Sequence, residues 1–433
     1  MLRMLLVLFA YAVGITVSLP NAVYASCFFI WSDIFRPPAW ARYHGILHPD
    51  IFYPVHICTG VLAFSIIFCK WKHRWNLGAT VILVSLGWFF ISALCAEYRD
   101  IAIGKTLIIA KYFIPLAFIS ATLCTRNAQR LFIYTLAASV GVWMAHHGLL
   151  ALIKNRPITD MAIPRGQMTD RNDFLVAGTA CVPLMLYAAF HYQGRWQKAI
   201  RGGILLGSAF AIIAVVYSLS RGAMVGFALL LMWYSFLTGR FFRRIAVGGI
   251  IAIVALACMP QFVWERLSTI ETEGEQTESS ARHRVEHMVV AIRVTLDYPL
   301  TGVGADNFPI VSNRHSVFSA EPHSLWLKCS SEYGMPMLVF FVLLVFLFLS
   351  RLRQRAKLAR ALGDRGGEAL ATTLSCALVG FLATGTFTSQ FVSEYMWSII
   401  GLIGAFLATP LETPVVAPAP VEPVPAEAAQ RAA

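Results

Sequence analysis

The sequence predicts an all-α polytopic membrane protein of about 12 transmembrane helices, interrupted by one large, mainly helical loop outside the membrane. Three observations predict it. Of 433 residues, 58% are hydrophobic and 13% charged, and the mean hydropathy is +0.65; a water-soluble globule carries roughly twice that charged fraction. Apolar runs near the roughly 20 residues that cross a bilayer as a helix recur along the chain, without the alternation of a membrane-barrel strand. Between two of these runs stands a single long polar stretch, Gln261 to Pro322.

The opening run, 3–20, has Arg3 alone before its apolar core and no small-residue cleavage site behind it, so it reads as a retained first helix rather than a signal peptide. Asn21 to Phe35 is short and interrupted and reads as a re-entrant or interfacial piece. Spans follow at 52–69, 77–96, 101–123, 129–153, 172–192, 201–219, 222–238 and 242–260, which puts helices one to nine within residues 1–260. Residues 261–322 form the loop domain, and residues 323–410 hold the last three spans, at 324–350, 367–386 and 391–408. Residues 411–433 are rich in Pro, Ala, Val and Glu, cannot form a core, and are expected to be a disordered tail.

Basic residues cluster in alternate loops: Lys70, Lys72 and Arg74; Arg126 and Arg130; Arg195, Lys198 and Arg201; Arg240, Arg243 and Arg244; and the run from Arg351 to Arg365. Lys and Arg near helix ends are retained in the cytoplasm. The opposite loops, among them Lys154–Arg171, Ser220–Gly222, 261–322 and the Thr386 region, then face the outside, the periplasm in a Gram-negative cell. Topology thus accounts for the net charge of +12 without nucleic acid. The nine cysteines lie mostly in apolar segments, as at Cys58, Cys95, Cys181 and Cys376, without CxxC spacing, and read as small core residues. The outer loops show no DxD or His-rich constellation, so neither a metal nor another cofactor is expected.

The chemistry-bearing residues collect on the outer side. Arg221 stands in a tight turn, Ser218 to Ala223, between two apolar runs. An arginine at hydrocarbon depth costs on the order of 3 kcal/mol, so it faces a wet cavity or an anion, or else snorkels to headgroups. Ser280 to Arg284 opens an amphipathic helix in which Val285, Met288, Val289, Ile292 and Leu296 recur at helical spacing, fit to lie on the membrane. Arg282, Glu286 and Arg293 share its polar stripe, a solvated face in the simplest reading, whereas Arg284 borders the apolar stripe and is aimed at the membrane domain. Bidentate guanidinium contacts suit a diphosphate.

Tyr298 to Ala305 lacks the βαβ setting and third glycine of a nucleotide loop and reads as a turn; the backbone at Gly304 can still approach an anion, with Asn307 and Phe308 against it. His323 follows Pro322 where an apolar helix starts, and the positive end of the helix dipole favours a neutral ring able to act as a base. A lone interfacial histidine also serves structure. Lys328 and Glu332, one turn apart, face a polar cavity or simply pair. Arg165, Arg171 and Asn172 lie in or beside an outer loop, and Lys111 lies inside an apolar span and is expected to point inward; each either assists an anionic ligand or is ordinary loop solvation and packing.

Taken in order, these pieces resemble the bacterial O-antigen ligase family and its superfamily with O-antigen polymerases and protein O-oligosaccharyltransferases. The resemblance rests on Ser220-Arg221-Gly222 between two spans, Ser280 four residues before Arg284, Asp297 to Gly304 with Phe308, and His323, Leu327, Glu332 and Gly334 at the spacing of the family's last motif. Ser324 departs from the asparagine often found after the histidine. The resemblance implies a GT-C-type membrane glycosyltransferase of the inner membrane, active at its periplasmic face. Its donor would be an undecaprenyl-diphosphate-linked glycan and its acceptor a sugar hydroxyl of lipid A-core, joined by direct inverting displacement without metal. It also implies the roles: Arg221 and Arg284 on the diphosphate, His323 as general base. A polymerase or a protein glycosyltransferase differs in acceptor only. A transporter of a polyprenyl-linked glycan, of another class altogether, would show related halves and midplane polar groups, and no such repeat is visible.

Overall fold

The computed structural model describes residues 1–41, 47, 53–69, 72–158, 170–239, 276–315 and 321–412, except for the side chains of 276–284. Among these residues the regular structure is helical. The helices are α1 (Leu2–Ser18), α2 (Ala22–Ile30, running on as a π-helix, Trp31–Phe35), α3 (Pro37–Trp40), α4 (Pro54–Phe68), α5 (Leu77–Cys95), α6 (Arg99–Thr122), α7 (Arg126–Lys154), α8 (Arg171–His191), α9 (Gln197–Tyr217) and α10 (Arg221–Leu237). After the undescribed stretch come α11 (Gln276–Asp297), α12 (Phe308–Ser312), α13 (Leu325–Leu362), α14 (Arg365–Gly385) and α15 (Glu394–Ala408).

Seven of these helices, α5 to α9, α13 and α14, are long and apolar enough to cross a membrane. The spans expected at 3–20, 52–69, 222–238 and 391–408 correspond to the shorter apolar helices α1, α4, α10 and α15, and the one expected at 242–260 lies outside the described residues. The segment read as re-entrant, Asn21 to Phe35, is an apolar helix in its own right: the Asn21 side chain caps it by accepting from the Val23 and Tyr24 backbone N–H groups, and eight of the nine residues of α2 are buried.

Burial organises the bundle around α15, whose residues from Glu394 to Phe406 are all buried. A helix apolar all round belongs in the interior of a bundle, and α15 packs there against α5, α6, α7, α13 and α14. Polar side chains lock its far end. Asn76 caps α5 through Ala79 N–H and donates to the Ser120 carbonyl at 2.9 Å, while the Ser120 hydroxyl lies within hydrogen-bond reach of both Asn76 Oδ1 and the Gly401 carbonyl, at 2.8 Å each.

The 38-residue α13 is broken once, at Gly334, which takes φ +81°. Its partner is the turn after α11. Val303 and Gly304 donate to the Ser331 and Glu332 carbonyls at 2.9 Å each, and Met335 donates to the Pro299 carbonyl at 2.8 Å. A Cβ on Gly334 would stand 2.2 Å from the Leu300 carbonyl oxygen, and one on Gly302, itself at φ +67°, 2.4 Å from the Glu332 carbonyl carbon. Only glycines let the two backbones approach this closely. Ser92 on α5 completes the seam, its hydroxyl reaching the Thr301 and Glu332 carbonyls at 2.7 and 2.9 Å.

Helix α11 presents two apolar faces where the periodicity suggested one. Val290, Ala291 and Val294 are buried against Val303, Phe308 and Val311, whereas Val285, Val289, Ile292 and Leu296 are exposed on the opposite side. The inward face is mixed with polar residues, His287 and Thr295, and so is masked in the sequence pattern. The exposed apolar face is the surface such a helix would lay on a bilayer.

Candidate functional site

Four helix starts and one connector come together at one end of the bundle. Leu219 adopts φ +56° in the turn before α10, which leaves Ser220 as N-cap residue and Arg221 as the first helical residue, exposed. Ser220 is tied across to α8: its hydroxyl bonds Asn172 Oδ1 at 2.9 Å. Asp170 caps α8 by accepting from Asn172 N–H at 2.7 Å. Arg171 beside it is half-buried, and its Nε has no hydrogen-bond partner. The Arg221, Arg171 and Asn172 positions are thus brought into one neighbourhood.

His323 lies two residues before α13, with Ser324 as N-cap residue rather than opening the helix itself. It is half-buried and holds φ +49°, an uncommon region for a residue with a Cβ. Its backbone N–H donates to Ser389 Oγ at 3.0 Å, and its ring lies 5.9 Å from that of His287 on the inward face of α11. Next to it, Lys328 is held between Glu321 at 2.6 Å and the buried Glu332 at 3.2 Å, so the expected pair is a triad.

The connector between α14 and α15, residues 386–393, joins these parts. Thr386 Oγ1 accepts from Trp326 Nε1 at 3.0 Å, Ser389 holds His323, and Gln390 hydrogen-bonds Asp173 of α8. A Cβ on Gly222 would fall 2.8 Å from Phe387 Cβ, so the start of α10 packs directly on the same segment. Charge patterning marks the Thr386 region as an outer loop but singles out neither Ser389 nor Gln390, nor His287. A polar dipeptide in a short connection between apolar helices was the available signal.

Below Trp326 and Thr386 an apolar groove of about 470 Å³ runs between α10, α13 and α14, lined by Met232, Trp233, Phe236 and Leu382 among others. Its lining reaches Trp326, three residues after His323, and Thr386, three before Ser389.

Three expectations need correction. Lys111 does not point inward: Leu107, Ile108, Ile114 and Phe118, its neighbours three, four and seven positions away, form the exposed stripe of α6, and Lys111 is exposed with them. Gly304 is framework, because a Cβ there would meet Ala96 and Ala102 at 2.6 and 2.8 Å. Asn307 is fully buried with its amide nitrogen given to the Tyr98 and Val303 carbonyls, at 3.1 and 2.9 Å. Arg165 lies outside the described residues. Arg282 and Arg284 lie on α11, but their side chains are likewise outside the described part. Among the described residues no group of three His, Cys, Asp or Glu side chains is placed to hold a metal ion.

Glu97, between α5 and α6, is held below the ordinary carboxylate range chiefly by its hydrogen bonds from Arg314, one of them 2.8 Å long, and Arg314 is raised in turn. The pair fastens the segment after α12 to the α5–α6 turn.

Residues 206–342 match the family model described as O-antigen ligase. The match takes in Arg221, all of α11 and the break at Gly334, with His323 between. No curated protein matches the chain.

Proposed function

We infer that this chain, which belongs to the O-antigen ligase family through residues 206–342, transfers a glycan from undecaprenyl diphosphate to a sugar hydroxyl of lipid A-core at the periplasmic face of the inner membrane. The family is one of glycan-joining enzymes of ligase or polymerase type in lipopolysaccharide synthesis. The observation that carries the finer reading is the gathering of Arg221, Asn172, Asp173, His323 and His287 around the 386–393 connector, with an apolar groove reaching that connector at Thr386. A polyprenyl donor needs both parts, an apolar channel for its tail and cations for its diphosphate.

In this reading the tail lies in the groove and Arg221 meets the diphosphate at the groove's mouth. Arg284 precedes His287 by three positions and Ala291 by seven, a spacing that shares a helical face. The acceptor oxygen attacks the anomeric carbon and gives its proton to His323. The C–O bond to the diphosphate breaks with its electron pair, and the two arginines take up the charge developing on the leaving group. One displacement inverts the anomeric centre. The lipid diphosphate is already activated, so no nucleotide is called for.

The test offers purified protein in proteoliposomes undecaprenyl-diphosphate glycan together with lipid A-core, a second glycan or a protein, without ATP and with EDTA. Modification of lipid A-core supports the ligase. Extension of glycan alone moves the assignment to a polymerase, and modification of protein alone to a protein glycosyltransferase. Lipid translocation without transfer to any acceptor overturns the enzymatic reading.

A further inference from the structure

At the end of the bundle opposite His323, two arginines converge on one ring and a third stands close by. Arg126 opens α7 and Arg355 stands near the end of α13; their guanidinium carbons lie 4.8 and 5.3 Å from the centroid of Phe406 on α15. Arg130, one turn after Arg126, brings Nη2 to 3.2 Å from where a Cβ would stand on Gly366, beside Asp364. Asp364 is the buried acid of the group and is fully occupied: Arg126 at 3.3 Å and the Glu412 N–H at 3.1 Å bind Oδ2, and the Gly367 N–H at 2.7 Å binds Oδ1. Glu412 is largely exposed and stays 3.9 Å from Arg126 Nε. Three guanidinium charges face one buried carboxylate and one in solvent.

The donors left over are more telling. Nε and Nη1 of Arg126, Nε of Arg130, and Nε and Nη2 of Arg355 are buried without a hydrogen-bond partner, and the Tyr187 hydroxyl is engaged by Arg130. The Arg126 side chain is 6% exposed and Tyr187 3%. A buried donor left unpaired is costly, more so when charged, and this many in one place suit an anion. Planar guanidinium forks match phosphate oxygens. One turn beyond Arg130, Tyr134 stands at the edge of an apolar groove of about 480 Å³ between α7, α8 and α9, floored by Ala137, Gly141, Ala145 and Gly207. Small residues leave it open along the membrane-facing surface.

We propose that the Arg126–Arg130–Arg355 cluster binds the phosphate of an anionic phospholipid of the inner leaflet, one of whose acyl chains lies in the α7–α8–α9 groove. The basic loops place this end at the cytoplasmic leaflet, where anionic headgroups and basic pockets between helices meet. The site is independent of the transfer reaction and shares no residue with it.

The experiment follows thermal unfolding of the purified full chain in neutral detergent while dioleoyl phosphatidylglycerol, dioleoyl phosphatidylcholine or inorganic phosphate is titrated in. Phosphatidylglycerol is expected to raise the melting temperature saturably, phosphatidylcholine to leave it unchanged, and inorganic phosphate to act only weakly. Arg130→Gln is expected to raise the half-saturating phosphatidylglycerol concentration roughly 10- to 100-fold and Tyr187→Phe, which keeps the ring, roughly 3- to 10-fold. In Gly207→Leu the new Cβ has only Met185 and Ala145 in contact, at 3.5 and 3.8 Å; it is expected to weaken the phosphatidylglycerol response and spare that to phosphate. An unchanged phosphatidylglycerol response in both Arg130→Gln and Tyr187→Phe, or an equal one to phosphatidylcholine, overturns the headgroup site. Phosphate as effective as phosphatidylglycerol, with Gly207→Leu indifferent, overturns the lipid.

Discussion

His323 and Leu219 both hold positive φ, at 49° and 56°, and each stands within two residues of a side chain assigned to the transfer reaction or is that residue. Such conformations cost of order 1–3 kcal/mol and persist where the surroundings fix them; at His323 the Ser389 hydrogen bond does so. Asparagine tolerates this region better than other residues with a Cβ. His323→Asn is therefore expected to melt like the wild type while transfer falls about 10²- to 10⁴-fold, the loss of a general base. Near-normal turnover in that variant would remove His323 from proton transfer. Arg221→Ala is expected to lower the transfer rate roughly 10²- to 10³-fold, as for other donors to developing charge. Arg221→Lys should recover only part, because an ammonium keeps the charge and loses the fork, and full recovery would mean that only the charge matters.

Among the elements, the break in α13 is the most constrained. Gly334→Ala places a Cβ 2.2 Å from a backbone oxygen at a φ of +81°, and a destabilisation of at least about 1–3 kcal/mol is expected from the φ alone; a melting temperature equal to the wild type would show that the seam can open without cost. The segment after α12 has a pH limit. Glu97 is depressed below its ordinary value of 4.5, so its tie to Arg314 is fully present above that pH and is lost as pH falls through the lower folded value. Hydrogen exchange in 298–314 should rise on acidification below about 4.5 in the wild type, and Glu97→Gln should show the faster exchange already at neutral pH. Equal exchange in both proteins at pH 7 would refute the tie.

For the molecule as a whole, hydropathy made the bundle legible, since each described span expected from the sequence has a helix at its place, the one expected at 324–350 running on to Leu362. Arg221 and His323 stand out in the sequence because a charge at an apolar boundary has few structural uses. What brings them together does not. Ser389 and Gln390 are ordinary connector residues in one dimension, and a glycine turn reads alike whether it cradles an anion or, as at Gly302 and Gly304, admits another backbone. The inward face of α11 was hidden for a related reason: His287 and Thr295 are polar, and the partners that bury them come from α13, whose Ser330 hydroxyl lies 3.0 Å from that of Thr295. Lys111 was misread because period alone does not say which side of α6 meets lipid.

The connector at 386–393 lies after the last residue of the O-antigen ligase match and near the end of the helical chain. Translation therefore delivers Arg221, α11 and His323 to the membrane before the segment that holds them in register. A polypeptide released at residue 385 would possess every arginine and histidine proposed for the reaction and none of the contacts from Phe387, Ser389 and Gln390. On the proposed reading, chemistry on a lipid-linked glycan has to wait for insertion of α15, and a half-made chain is silent at the membrane rather than partly active.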